Sequence, residues 1–149
     1  MTDAAIAPLE RLLAERACER LIIDFVHRLD LGDPSSVAEL FTADGIWEWP
    51  HGNRRIAGRA ALSEYLGTRP PDRLSRRLMT NILVTATSYL ATYRVDGFSE
   101  GMVPPQHPTN VGHYEDRFRK VDGAWLLATR STHLAFGTDT RRLASPSSN

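Results

Sequence analysis

What this sequence lacks narrows it first. It has a single cysteine, Cys18, so no disulfide can form within the chain and nothing points to an oxidising compartment. Neither charge is in excess, with 18 lysines and arginines against 18 aspartates and glutamates. That balance gives no reason to expect nucleic acid or an anionic membrane as a partner. No apolar run approaches the ~20 residues of a membrane span. The opening "MTDAAIAPLERLLAER" reaches charged residues too soon for a signal peptide. The expected location is the cytoplasm. A glycine-rich phosphate loop and a G-x-S-x-G elbow are both missing. His107 and His113 lie across a loop and a strand start and match no strong metal-ligand spacing. Any chemistry is therefore expected to rest on side chains alone, without metal or cofactor.

What is present suits one domain. The 149 residues, 42% apolar and 24% charged, suffice for a single core. The domain is expected over residues 1–137, with 138–149, "TDTRRLASPSSN", a disordered tail. Residues 9–31 have helical periodicity. Cys18, Leu21, Ile22, Phe25, Val26 and Leu29 fall in a stripe about 140° wide, with Arg20, Asp24, His27 and Arg28 on the solvated side. Cys18 is expected as a core side chain. Asp33 suits an N-cap and Pro34 a first helical position, restarting a short helix that "TADG" ends. "GIWEWP" alternates as a strand stopped by Pro50, "HGN" suits a turn, and "RRIAG" a return strand. "GRAALSEYLG" predicts a compact helix with Ala61, Leu62, Tyr65 and Leu66 on its apolar side.

From Arg76 onward the pattern is that of strands. "RRLMTNILVTATS" and "YLATYRVDG" are rich in β-branched and aromatic residues. "NVGHYEDRFRKV" and "AWLLATRSTHLAFG" flank the hairpin signal "DG". Between Gly97 and Asn110 the glycines and prolines predict a long irregular loop that covers something. The class is α+β, with three helices from the N-terminal half packed on one face of a curved antiparallel sheet.

Polar residues inside apolar patterns need partners, so they are candidates for function. Asp30 lies at the edge of the helical stripe, where partial desolvation would suit a general base; the alternative is a capping role. Arg130 interrupts the row Leu126, Ala128, Thr132 and Leu134 and needs a carboxylate or a ligand oxygen. Asn81 shares a face with Met79 and Leu83 and is a candidate ligand contact, or else satisfies a neighbouring backbone group. Trp47, Trp49, Tyr89 and Tyr93 are candidate walls of a substrate cavity, or plain core. Gly112, Tyr114, Asp116 and Phe118 share one face of their strand; His113, Glu115, Arg117 and Arg119 share the outward one. His133 is expected opposite Arg130's face.

With those residues placed, the sequence resembles the SnoaL-like branch of the NTF2-like superfamily, from about Leu9 to Phe136. "LDLGDPSSVAELFTADGIWEWP", "IAGRAALSEYL", "RRLMTNILV" and "GHYEDRFRKVDGAWLLATR" occur in that order and at fitting spacings. The resemblance implies a cone-shaped bent sheet around an apolar cavity, shared with scytalone dehydratase, ketosteroid isomerase and polyketide cyclases, and a homodimer. It matches Asp30 to the base of a histidine–aspartate dyad and Arg130 to a cavity arginine. It matches Tyr114 to a recurrent strand pattern and adds Phe25 where many relatives have tyrosine. The chain departs at Arg77, which stands where dyad enzymes carry histidine. A carboxylate oriented by imidazole can pass a proton on; one beside a guanidinium is a weak base.

The resulting expectation is a cofactor-independent acid–base enzyme, of lyase, isomerase or cyclase type, acting on a small, largely apolar molecule. Asp30 would be the base, with Arg130 and Arg77 stabilising negative charge. The alternatives are a non-catalytic small-molecule-binding protein, favoured by the missing histidine, and a structural subunit like the small subunit of ring-hydroxylating dioxygenases.

Overall fold

The computed structural model describes residues 6–71, 74–86, 90–102 and 109–137. Helix α1 spans Pro8–Leu31, with proline in its first turn, Glu10 at its positive end and Arg28 at its negative end. Its buried row is Ala14, Cys18, Ile22, Phe25 and Leu29; four of these belong to the expected stripe, whose other members Leu21 and Val26 are half-buried at its edges. Burial, reinforced by Glu15 and Glu19, pushes the Cys18 thiol up to about 12, which suits a packed side chain and not a nucleophile. Arg28 is more than a solvated residue: its guanidinium donates to Ser36 O and Glu39 Oε2, each at 2.7 Å.

Asp33 caps the next segment, accepting from the Ser35 amide at 2.9 Å. That segment, Pro34–Leu40, is a 3₁₀ helix and not an α-helix. Strand β1 then begins at Phe41 and runs to Trp49, so "TADG" lies inside the strand and does not end a helix. The pairing of β1 is irregular between Phe41 and Ile46, which is where the turn-forming residues fall. A single turn at Pro50–Gly52 leads to β2, Arg54–Ala57, and then to α2, Arg59–Gly67. Leu62 and Leu66 of α2 are buried, whereas Ala61 is exposed.

The long strands are β3 (Leu74–Ala86), β4 (Leu90–Met102), β5 (Thr109–Val121) and β6 (Ala124–Gly137). The expected irregular stretch is therefore mostly strand. Residues 97–102 continue β4 and 109–110 open β5, because Gly97 and Phe98 pair with Gly112 and Val111 in a continuous ladder. Residues 103–108, including His107, and the tail 138–149 lie outside the described residues. The sheet order is β2-β1-β6-β5-β4-β3. All neighbours are antiparallel except β1 and β6, which are parallel. The sheet is thus mixed, not purely antiparallel. No hairpin joins β1 to β6, and the long connection between them leaves either direction open.

Three bulges curve the sheet. In β6, Ala135 and Ala128 are extra residues, where the register slips between Val111 and Gly112 and between Arg117 and Phe118. A Cβ on Gly112 would sit 2.1 Å from the His133 carbonyl oxygen, so the strand approach there requires glycine. In β3 the slip falls between Thr80 and Leu83, and Asn81 adopts φ 55. Asx side chains tolerate that left-handed geometry better than branched ones. The β5–β6 turn uses Asp122 (φ 50) and Gly123 (φ 82), as a two-residue hairpin requires. The core lies between α1, α2 and the inner sheet face, centred on Phe25, Phe41, Leu62, Phe118 and Leu127. Among the described residues no helix is long and apolar enough to cross a membrane.

Candidate functional site

Asp30 ends α1, where the peptide dipole is negative and the last carbonyls lack donors from within the helix. A carboxylate there is unfavourable unless cations are brought to it, and β3 brings them. Ser75 and Arg77, two residues apart, share the strand face that meets the helix. Asp30 Oδ1 accepts from Ser75 Oγ at 2.8 Å and from Arg77 Nη1. Oδ2 accepts from the Arg77 backbone amide at 2.7 Å. Arg76 donates to the Asp30 carbonyl at 3.2 Å and to the Ser75 carbonyl at 2.8 Å. Arg69, beyond α2, donates to Ser75 Oγ.

The Asp30 side chain is 2% exposed and that of Arg77 11%. Both carboxylate oxygens accept hydrogen bonds, two at Oδ1 and one at Oδ2, so the group holds its donors in place and only Oδ2 keeps an acceptor site uncommitted. Arg77 Nε, by contrast, is buried with no partner among the described residues. A buried unfilled donor is costly. What this end of α1 presents is a fixed donor beside an acid engaged at both oxygens.

Arg130 occupies a different setting. Its Nε donates to Asp116 Oδ1 at 2.8 Å and its Nη2 to Oδ2 at 2.6 Å, and both side chains are fully buried. The guanidinium carbon lies 3.9 Å from the Phe25 ring centroid and 4.3 Å from that of Tyr114, a geometry that favours cation–π attraction. Burial pushes the Asp116 carboxyl up while the Arg130 guanidinium pulls it back. The inward row of β6 also differs from the expected one. The Ala128 bulge places Trp125 and Leu127, not Leu126 and Ala128, on Arg130's side.

The expected wall residues divide. Phe25 and Trp47 meet edge to face at 5.3 Å, Trp47 stacks on Trp49 at 4.7 Å, and Tyr65 packs against both indoles. Trp47 Nε1 donates to Thr132 Oγ1 at 2.8 Å, fixing its ring. Tyr114 lies 6.5 Å from Phe25. Asn81 is exposed and serves the β3 bulge, because the extra residue reverses the strand's alternation after Met79. Tyr93 pairs in register with Val84 and Asp116, and Tyr89 lies outside the described residues. Phe25 and Asp30 are five residues apart on α1, roughly 7.5 Å of helix rise, so the structure separates the Arg130 and Arg77 pairs along one helix.

Sequence reasoning missed Ser75, Arg69 and Arg76 as members of the Asp30 cluster. A cationic run "RPPDRLSRR" before and into a strand was the available signal, since its Arg69, Arg76 and Arg77 gather at the negative end of a helix. On the outward face, His113 stacks on His133 with ring centroids 4.7 Å apart, as the strand alternation predicts.

Residues 10–131 match the SnoaL-like domain. No curated protein is matched by the sequence. Among solved structures, Rv3472 of Mycobacterium tuberculosis, a protein of unknown function, superposes with a TM-score of 0.77 at 26% identity, over 88% of this chain and 78% of its own. A scytalone dehydratase-like protein of Novosphingobium aromaticivorans DSM 12444 gives 0.76 at 27% identity, over 93% and 95%. A type 2 hexachlorocyclohexane dehydrochlorinase, LinA, gives 0.79 at 16% identity, over 89% and 92%, a likeness of fold.

Proposed function

The chain belongs to the SnoaL-like family, and from that premise we propose that it binds a small, largely apolar molecule carrying a carbonyl or anionic oxygen. The oxygen accepts from Arg77, and the apolar body rests against the partly exposed rings of Trp49, Tyr65 and Tyr114, which pack on the closed core around Phe25. One observation carries this reading: Arg77 is held by Asp30 through Nη1 while its Nε remains a buried donor without a partner among the described residues. A site built to satisfy such a donor discriminates strongly for ligands with an acceptor, because the unliganded donor is costly.

A second reading is supported by the family and by neighbours whose names are those of a dehydratase and a dehydrochlorinase. In it the protein is a cofactor-independent lyase or isomerase with Asp30 as base, and the ligand displaces Arg77 from Asp30 before the proton moves. One pair of measurements separates the two. Fluorescence titration with 8-anilinonaphthalene-1-sulfonate, an apolar ring system with one anionic group, should saturate in the wild type and weaken at least tenfold in Arg77→Met. Incubation with 2-tetralone in D2O, followed by mass spectrometry, reports proton abstraction next to a carbonyl. The binding reading expects no deuterium beyond the buffer rate. Enhanced exchange that Asp30→Asn abolishes would establish the enzyme instead.

A further inference from the structure

The outward face of the sheet carries a second constellation, independent of the Asp30 cluster. His113 and His133 are directly paired across β5 and β6, and Glu115 is two residues along β5 on the same face. The intervening Tyr114 points the other way, toward Phe25. His113 Nε2 lies 3.6 Å from Glu115 Oε1, and His133 Nε2 lies 3.5 Å from Glu115 Oε2. One ligand atom from each of the three falls within 4.8 Å of the others.

We propose that His113, Glu115 and His133 form a binding site for a divalent transition-metal ion of the zinc class, clasping β5 to β6. The distances fit. Zinc bonds to imidazole nitrogen and carboxylate oxygen at about 2.0–2.2 Å, and tetrahedral geometry then separates neighbouring ligand atoms by about 3.3–3.6 Å. The two nitrogen–oxygen separations have that length but run to different oxygens of Glu115, and the three ligand atoms spread to within 4.8 Å, so closing on an ion requires the exposed Glu115 side chain and the imidazoles to draw together. A second observation comes from His133 Nε2, which is buried and has no hydrogen-bond partner among the described residues. A buried imidazole nitrogen that faces a carboxylate without hydrogen-bonding to it is placed to act as a metal ligand.

The ligand types select the ion. Two imidazoles and one carboxylate suit zinc or its neighbours and not calcium or magnesium, which take oxygen ligands. Glu115, with a side chain 55% exposed, can adjust to close the site and leaves a fourth position for water. His51, whose ring is 6.0 Å from that of His133, flanks the site without belonging to it. No spacing rule finds this triad, because two of its members meet only through strand pairing.

The test uses the full-length protein, freed of metal with chelator and titrated with Zn2+ by calorimetry. Co2+ substitution then reports geometry through its visible d–d bands. The proposal expects one Zn2+ per chain, intense four-coordinate Co2+ absorption, and a rise in melting temperature with Zn2+ concentration. His113→Ala, His133→Ala and Glu115→Gln should each weaken Zn2+ binding by about tenfold or more. His27→Ala, on the exposed side of α1, should bind as the wild type does. If an alanine variant fails to fold, the near-isosteric and exposed Glu115→Gln decides the matter. No binding, half an ion per chain, or wild-type affinity in Glu115→Gln would overturn the proposal.

Discussion

The Asp116–Arg130 and Asp30–Arg77 pairs have the same chemistry in opposite settings. The first is sealed: bidentate, fully buried, and enclosed by the rings of Phe25 and Tyr114. The second lies at a helix end among further donors, Ser75, Arg76 and the Arg77 amide, and its guanidinium side chain keeps 11% exposure where that of Arg130 has none. A pair joined by two hydrogen bonds and shut inside an apolar enclosure contributes to the fold. A pair with surplus donors at the edge of the core has capacity left for something else. Position on α1 therefore separates a packing element from a candidate ligand contact more clearly than residue type does.

Removing one partner of the sealed pair should produce the largest effect. Arg130→Met leaves Asp116 buried and unpaired, with an expected loss of about 3–5 kcal/mol in urea unfolding. The double variant Asp116→Leu/Arg130→Met should recover most of it, because two apolar residues leave no buried charge. If the single variant costs under 1 kcal/mol, the two settings are not different in kind.

A smaller loss is expected at the helix end. Arg77→Met should cost about 1.5–3 kcal/mol, since Asp30 keeps Ser75 and the backbone amide as donors. The same variant should also weaken 8-anilinonaphthalene-1-sulfonate binding at least tenfold, and unchanged binding would place Arg77 with the packing residues. The exposed pair Asp44–Arg119 supplies the lower limit. Hydrogen bonds from Arg119 and Thr42 hold the Asp44 carboxyl below its ordinary range. Its contribution is therefore present above the ordinary carboxylate pKa and is lost as pH falls through the depressed value. Asp44→Asn should leave the melting temperature at neutral pH and 0.15 M salt unchanged within error, and should flatten only the acid end of the stability profile.

Much of the fold was legible in the sequence. The buried row of α1, the Asp33 cap, the β5–β6 turn and the inward set Tyr114, Asp116 and Phe118 all follow from periodicity and turn chemistry. The misplaced details share a cause. "TADG" resembles a helix stop because those residues suit turns, yet it lies in an irregular stretch of β1. Asn81 was placed on the inner face because alternation was counted through a bulge. Of the candidate site, Asp30 and Arg77 were visible as an acid at a helix end and a cation where relatives have histidine. Their union with Ser75, Arg69 and Arg76 was not, since nothing local says which strand meets the end of α1.

The hairpin at Asp122–Gly123 shows where local pattern ends and the assembled fold takes over. Helical period, strand alternation and the positive-φ turn are properties of residues within a few positions of one another, so the linear order fixes them. Counting evenly outward from the Val121–Ala124 pair, Asp116 would face Thr129 and His113 would face Thr132. The extra residue Ala128 shifts the register by one, giving Asp116 to Arg130 and His113 to His133. That shift depends on how the whole sheet curves around α1, because a bulge is stable only where bending improves packing on both sides. Both the sealed ion pair and the proposed metal triad come from that one residue.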